Sequence, residues 1–165
     1  LLAGLVVLYL GPHLIGGDGA KRFEAINALL DRGELVGNEY SLIAPLFSTP
    51  LRLLDRLVGS QAWWTARYNF FLFLLGLAIL WWLLRGAVSD AVRRNFVLLL
   101  VFGSMFPHHV QHYYGEVFTA LAFGIGVVLL TVRSSAWGWP WLPAAATGRA
   151  CACERWCGRS FICFA

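Results

Sequence analysis

Charged side chains are scarce in this sequence. Asp, Glu, Lys and Arg together supply 13% of the residues, about half the share found in an ordinary soluble domain. The net charge of +4 is small and scattered along the chain, which excludes the clustered basic surface of a nucleic-acid-binding protein. The sequence also lacks a phosphate-binding P-loop, a G-x-G-x-x-G fingerprint, an H-E-x-x-H helix and a G-x-S-x-G turn. Enzyme classes that depend on those motifs are therefore excluded.

Hydrophobic and aromatic residues take the place of the missing charge. Hydrophobic residues make up 59% of the chain, and the mean hydropathy is +0.66. Twelve Phe, eight Trp and five Tyr supply the aromatic side chains that accumulate at membrane–water interfaces. This composition predicts an integral membrane protein, with the lipid bilayer as its main partner.

Four apolar segments predict an all-α, multi-pass fold with about four transmembrane helices. They cover residues 1–15, 68–84, 95–107 and 116–132. The first is shorter than the roughly 20 residues that a span needs, so we expect it to be the end of a span that starts upstream; a signal-peptide core is the alternative. The third reaches spanning length only if its helix continues through the His- and Tyr-rich residues that follow. Residues 1–132 form the predicted membrane domain.

The basic residues predict the orientation of these spans. The link between the second and third spans holds Arg85, Arg93 and Arg94 against a single acid, and the segment after the fourth span is also rich in arginine. Positive charge marks the cytoplasmic side of a membrane. The long loop of residues 16–67 is therefore expected to face outward, in the cytoplasmic membrane if the source is bacterial.

The first of two interfacial helices is predicted at the start of this loop. Asp18 is its predicted cap, AKRFEAINALLDR is its body, and Gly33 is its end. One apolar stripe, expected to lie in lipid, consists of Phe23, Ile26 and Leu30.

The second interfacial helix is predicted in STPLRLLDRLVG. Thr49 is the expected cap, Pro50 the first helical residue and Gly59 the end. The two helices would give the outward loop an ordered structure at the membrane surface.

The tail, residues 133–165, differs in character from the rest of the chain. It holds all four cysteines in a C-x-C-x3-C-x5-C spacing, which lacks the C-x2-C pairs of a common zinc site. Span periodicity is lost where further spans would be due. The segment after about residue 143 is therefore expected to be non-native, from a shifted reading frame, or disordered; a cytoplasmic metal-binding tail is the alternative.

Residues 107–116, PHHVQHYYGE, form a polar cluster beside the third and fourth spans. On one continuous helix His108, His112 and Glu116 would follow each other at spacings of four, on a single face. Imidazole and carboxylate groups so placed could hold a divalent metal ion or bind a phosphate. Inert interfacial side chains are the alternative, and Gly115 would then break the helix before Glu116.

The layout of residues 1–132 resembles a known enzyme class. A span is followed by an acid, an interfacial helix ending LLDRGEL, a Pro-containing stretch, the helix PLRLLDRL, two further spans and then YYGEVFTALAFGIGVVLL. This order is similar to the N-terminal part of the GT-C class of integral-membrane glycosyltransferases, which includes protein mannosyltransferases and aminoarabinose-type lipid A transferases. The resemblance implies transfer of a sugar from a polyprenyl-phosphate-linked donor to an acceptor on the outer side of the membrane.

The resemblance also implies roles for particular residues. Asp18 matches the first-loop carboxylate and Glu116 the acid that opens the fourth span, so both are candidate catalytic groups, as base or metal partner. Where the family often has an acidic pair, this sequence has the single acid of Gly17-Asp18-Gly19.

Candidate substrate-binding residues follow from position in the loop and not from the resemblance. Lys21 or Arg22 could meet a carrier phosphate, with contact to lipid headgroups as the alternative. Glu39 and Tyr40, between the two interfacial helices, could face an acceptor.

A second functional class stays open. A non-enzymatic membrane protein, either an assembly subunit or a transporter fragment, would have the same composition. Transporters place ionisable groups inside their spans, and the predicted span interiors are nearly free of such groups, which argues against transport. If the chain is a glycosyltransferase fragment, 165 residues are expected to be too few for activity.

Overall fold

The computed structural model describes residues 1–35 and 39–136. Within those residues the chain forms eight helices and no β-strand, which confirms the predicted all-α class. The helices are α1 (Leu2–Leu10), α2 (Asp18–Arg32), α3 (Ile43–Val58), α4 (Trp63–Ala66), α5 (Tyr68–Leu83), α6 (Asp90–Phe102), α7 (Phe106–Val110) and α8 (Glu116–Ala136).

The helices α5 and α8 begin where the second and fourth predicted spans begin. Within residues 1–35 and 39–136, no helix combines the length and the apolarity that crossing a membrane requires. The number of membrane crossings and their orientation therefore stay predictions. The predictions for the cysteine-rich tail fall on residues that lie outside the described part of the chain.

The helix α5 lies at the centre of the core. Phe73 is completely buried and stacks on Phe106 of α7, with ring centres 5.1 Å apart. Gly76 lets α8 approach closely, because a Cβ at this position would lie 2.6 Å from Leu121 Cδ2. Apolar residues of α1, α6, α7 and α8 complete the same cluster around α5; its other buried members are Leu8, Phe70, Leu77, Val97, Val101, Val110 and Val117.

The helix α2 ends where the sequence predicts but packs differently. Gly33 adopts a left-handed conformation (φ 68°), and its N–H donates to the carbonyl of Leu29. The expected exposure of the apolar stripe to lipid is wrong, because Ile26 is 0% exposed and the ring of Phe23 meets Tyr113 edge-on. Ile26 therefore belongs to the protein interior, whereas Phe23 and Leu30 are half-buried.

The helix α3 begins earlier than predicted. It starts at Ile43 and runs through Pro50, so the assignment of Thr49 as its cap is wrong, whereas its end at Gly59 is confirmed. An interior proline costs about 3 kcal/mol. Buried contacts ahead of the proline favour the longer helix: the Ser48 hydroxyl donates to the carbonyl of Pro45 (2.6 Å) and hydrogen-bonds the hydroxyl of Tyr113 (2.5 Å).

The carboxylate of Asp55 joins the end of α3 to α4. Its side chain is 0% exposed and accepts hydrogen bonds from the hydroxyls of Ser60 and Thr65. The backbone N–H groups of Trp64 and Thr65 also donate to it, at 2.9 Å and 3.0 Å. Burial raises the pKa of Asp55, but these hydrogen bonds outweigh burial and hold the pKa below its ordinary value. The chain thus folds back from α3 into α5 around an ionised carboxylate.

This arrangement predicts an acid-sensitive fold. Because the folded-state pKa of Asp55 is depressed, its stabilisation is complete above the unfolded-state value of about 3.9 and is lost as the pH falls through the folded-state pKa. Asp55→Asn is expected to lower the free energy of unfolding at neutral pH by about 1–3 kcal/mol and to weaken its dependence on acid pH. Denaturant unfolding of the detergent-solubilised protein, followed by circular dichroism across that range, measures both effects.

The control for this experiment is Glu24→Gln, which removes an exposed carboxylate from α2. It is expected to leave both the stability and its acid dependence close to those of the wild type. An Asp55→Asn protein with the same acid dependence as the wild type would contradict the role given to Asp55.

Candidate functional site

The segment after α1 is paired with the turn between α7 and α8. The N–H of Leu14 donates to the carbonyl of Gln111 (2.8 Å), and the N–H of Tyr113 donates to the carbonyl of Leu14 (3.1 Å). The first turn of α2 then lies against the same turn, since a Cβ on Gly19 would be 2.6 Å from the carbonyl oxygen of Tyr113. These contacts bring Asp18 and Glu116, almost a hundred positions apart in the sequence, to the same end of the molecule.

Asn69, at the start of α5, holds this turn in place. Its side-chain N–H groups donate to the carbonyls of His112 (2.6 Å) and Tyr114 (2.9 Å), with a longer contact to His109 (3.5 Å). Since all three partners are acceptors, the amide nitrogen must face them. The side chain is completely buried, so these bonds are shielded from water. The turn carbonyls are thereby satisfied outside a helix.

This turn overturns one sequence prediction. His108, His112 and Glu116 do not lie on one continuous helix, because α7 ends at Val110 and α8 begins at Glu116. The condition under which the third apolar segment would reach spanning length is also not met, since α6 ends at Phe102.

The turn forms one wall of an open groove of about 510 Å³ between α2, α3 and α8. Its polar side chains come from Arg22, Ser41, Glu116 and Thr119. The remaining wall is apolar and consists of Ile43, Ala44, Gly115, Phe118, Ala120 and Phe123. The groove therefore combines one cation and one carboxylate with a surface suited to hydrocarbon.

Arg22 is the cation of this groove, and no ion pair within the described residues joins it to a carboxylate. Its Nε atom is buried without a hydrogen-bond partner among those residues. The guanidinium lies 5.1 Å from the ring centre of Tyr40 and rests against Gly115, where a Cβ would overlap it. A side chain at position 115 would displace the guanidinium from this position. A partly buried guanidinium with no carboxylate is suited to an anionic ligand.

Asp18 is the first residue of α2, and the predicted cap position is wrong by one residue. Gly17 occupies that position with φ 54°, a conformation that favours glycine, and no side chain caps the helix. The carboxylate of Asp18 is exposed and accepts a hydrogen bond from the hydroxyl of Tyr40 (2.7 Å). Through Tyr40, whose ring contacts Arg22, Asp18 is connected to the groove without lining it.

Glu116 lies exposed in the first turn of α8. It lines the main groove and also a smaller pocket of about 240 Å³. The small pocket has a largely apolar wall and includes His109. The carboxylate of Glu116 thus stands between two cavities.

The other candidate residues take separate positions. Glu39 is exposed and does not line either cavity. His108 and His112 line neither cavity, and their ring centres are 4.7 Å apart. Within residues 1–35 and 39–136, no group of three or more His, Cys, Asp or Glu is placed to hold a metal ion.

Sequence analysis missed Asn69, Tyr113 and Gly115. Asn69 gives a visible signal, because it is a polar residue at the beginning of the apolar run YNFFLFLL. Tyr113 was grouped with interfacial side chains, yet it is 3% exposed, and burial raises the pKa of its hydroxyl. Gly115 was considered as a helix break, but its contact with Arg22 gives no signal, since that side chain is nearly a hundred residues away.

Comparisons of the chain with protein-family models, with curated proteins and with solved structures find no match.

The contact between Asp18 and Tyr40 predicts a measurable titration. The hydrogen bond to Asp18 raises the pKa of Tyr40, so this bond is present at neutral pH and is lost as the pH rises through the raised pKa. Asp18→Asn is expected to lower the pKa of Tyr40, because a neutral amide stabilises the protonated phenol less than a carboxylate does. Tyrosinate absorbance of the purified protein, titrated with base, measures the change.

The matched control removes the titrating group. In a Tyr40→Phe background, Asp18→Asn is expected to leave the titration of the other tyrosines unchanged. An equal shift in that background, or no shift in the parent protein, would contradict the contact.

Proposed function

We propose that the chain is part of a membrane glycosyltransferase that uses a polyprenyl-phosphate-linked sugar donor and an acceptor on the outer side of the membrane. The observation that carries the proposal is the groove in which Arg22, without a carboxylate partner, faces the same space as Glu116. A lipid-phosphate donor needs a cation for its phosphate and an apolar wall for its chain. A transfer reaction needs, in addition, a carboxylate beside the reacting sugar.

Arg22 supports the donor half of the reaction. The bond between the sugar carbon and the phosphate oxygen breaks, and its electron pair leaves with the lipid phosphate. A guanidinium pairs with phosphate through two parallel N–H groups, so Arg22 would stabilise the leaving group. The apolar wall of the groove, which includes Ile43, Phe118 and Phe123, would contact the first isoprene units of the carrier.

Glu116 and Asp18 support the acceptor half. A carboxylate takes the proton from the acceptor hydroxyl or amine as the new bond to the sugar forms. Glu116 borders the groove directly and is the better placed of the two as this base. Asp18 is exposed at the groove's margin and is held by Tyr40, where it would position the acceptor or share a divalent metal ion. Glu39 would contact the acceptor from the exposed loop.

The proposal predicts that the groove residues are needed for sugar transfer. In membranes from cells that express the gene encoding the chain, Glu116→Gln is expected to reduce transfer of labelled sugar from polyprenyl-phosphate carriers about 100-fold or more, the loss expected for a general base. Asp18→Asn and Arg22→Gln are expected to reduce it as well. Glu24→Gln, an exposed carboxylate outside the groove, is the control and should retain wild-type transfer at matched expression.

Each outcome bears on a different part of the proposal. If Asp18→Asn alone is fully active, Asp18 only holds Tyr40 and catalysis depends on Glu116. If the Glu116→Gln, Asp18→Asn and Arg22→Gln variants are all fully active, the groove is not the site of transfer. If the wild type transfers from no carrier tested, a non-enzymatic membrane subunit becomes the better account.

A further inference from the structure

Two histidines outside the groove lie close together, His108 in α7 and His112 in the turn between α7 and α8. The ring centres of His108 and His112 are 4.7 Å apart with their planes at 44°, and His108 is exposed to solvent. Imidazole nitrogens bind Zn²⁺ at about 2.0–2.1 Å, so two nitrogens on one ion lie within about 4 Å of each other. A rotation of the exposed His108 side chain would bring one nitrogen of each ring to that separation. We propose that His108 and His112 form a binding site for one divalent d-block metal ion, such as Zn²⁺ or Cu²⁺.

The hydrogen bonding of His112 prepares it as a ligand. Its Nδ1 lies 3.0 Å from the carbonyl oxygen of His108. Because a carbonyl only accepts, Nδ1 carries the proton and Nε2 keeps its lone pair. A histidine ligand typically donates its other N–H to a carbonyl or carboxylate in this way, which fixes the ring and its tautomer.

The ring and the backbone of His112 are held by contacts within the protein. The ring of Tyr114 stacks on His112 almost in parallel, at 14° and 5.1 Å between ring centres. The carbonyls of His112 and Tyr114 are both held by the buried amide of Asn69. A ligand held in this way loses little conformational freedom on binding, which favours affinity.

The donor set determines the class of ion. Two imidazoles suit Zn²⁺, Cu²⁺ and Ni²⁺, whereas Mg²⁺ and Ca²⁺ prefer oxygen ligands. Glu116 does not join the pair, since it lies at the groove and the small pocket, and His109 lines that pocket with it. Within the described residues the site therefore offers two nitrogen ligands, and its other coordination positions would be open to water or to an exogenous ligand.

The proposal is tested by copper binding to the full chain. The four tail cysteines, which also bind soft metals, are first alkylated. Electron paramagnetic resonance at one equivalent of Cu²⁺ is expected to show splitting from two nitrogen ligands. His108→Ala and His112→Ala should each remove one nitrogen ligand and weaken copper binding by roughly tenfold or more. Loss of a group that only supports a ligand already weakens metal binding by about tenfold, and loss of the ligand itself should cost at least as much. His109→Ala is the control and should bind as the parent does.

Three results would overturn the site. The first is no copper signal above that of the His108→Ala/His112→Ala double variant. The second is an unchanged spectrum and affinity in both single variants. The third is an equal loss in His109→Ala, which would point to a general disturbance of the turn. Because none of these readouts involves sugar transfer, the metal site and the proposed transferase activity can fail independently.

Discussion

The buried side-chain amide of Asn69 is the interaction on which the candidate site depends. It donates to the carbonyls of His112 and Tyr114, at 2.6 Å and 2.9 Å, inside a core that excludes water. Without this amide, the carbonyl of Tyr114 would lose its hydrogen-bond donor, at a cost of about 1–3 kcal/mol, and the carbonyl of His112 would keep only the backbone N–H of Tyr114 (2.9 Å). A single amide thereby stabilises a break between α7 and α8 where the sequence alone suggests a continuous helix.

The break determines which charges meet. It presents Gly115 to α2, and the absence of a side chain there leaves room for the guanidinium of Arg22. It also puts Glu116 at the first position of α8, on the wall of the groove that Arg22 lines. His108 and His112 line neither the groove nor the small pocket. One backbone feature therefore separates two chemically distinct surfaces, one with a cation and a carboxylate, the other with a pair of imidazoles.

The sequence predicted the local features of this fold better than its long-range contacts. The all-α class and the ends of α2 and α3 could be predicted, because left-handed glycines at positions 33 and 59 are local signals. The start of α3 was misplaced because proline is expected at the first helical position. The buried contact of Ser48 with Tyr113, 65 residues away, outweighs this preference. The stripe of α2 was assigned to lipid because periodicity shows that a face is apolar, not what covers it. Asp18 and Glu116 were found as candidates. Asn69 is visible as a polar residue in an apolar run, but its carbonyl partners are not, and neither is the contact of Gly115 with Arg22.

The most direct test of this account is hydrogen exchange in an Asn69→Asp protein. The substitution keeps the size of the side chain but replaces the donor with a carboxylate facing three carbonyls. Exchange of the amides of Leu14 and Tyr113, which join the turn to the segment after α1, is expected to accelerate roughly tenfold to a hundredfold. Amides of α3 should exchange at wild-type rates. If residues 109–116 and Leu14 exchange as slowly as in the wild type, Asn69 does not hold the turn and the basis of the candidate site is wrong.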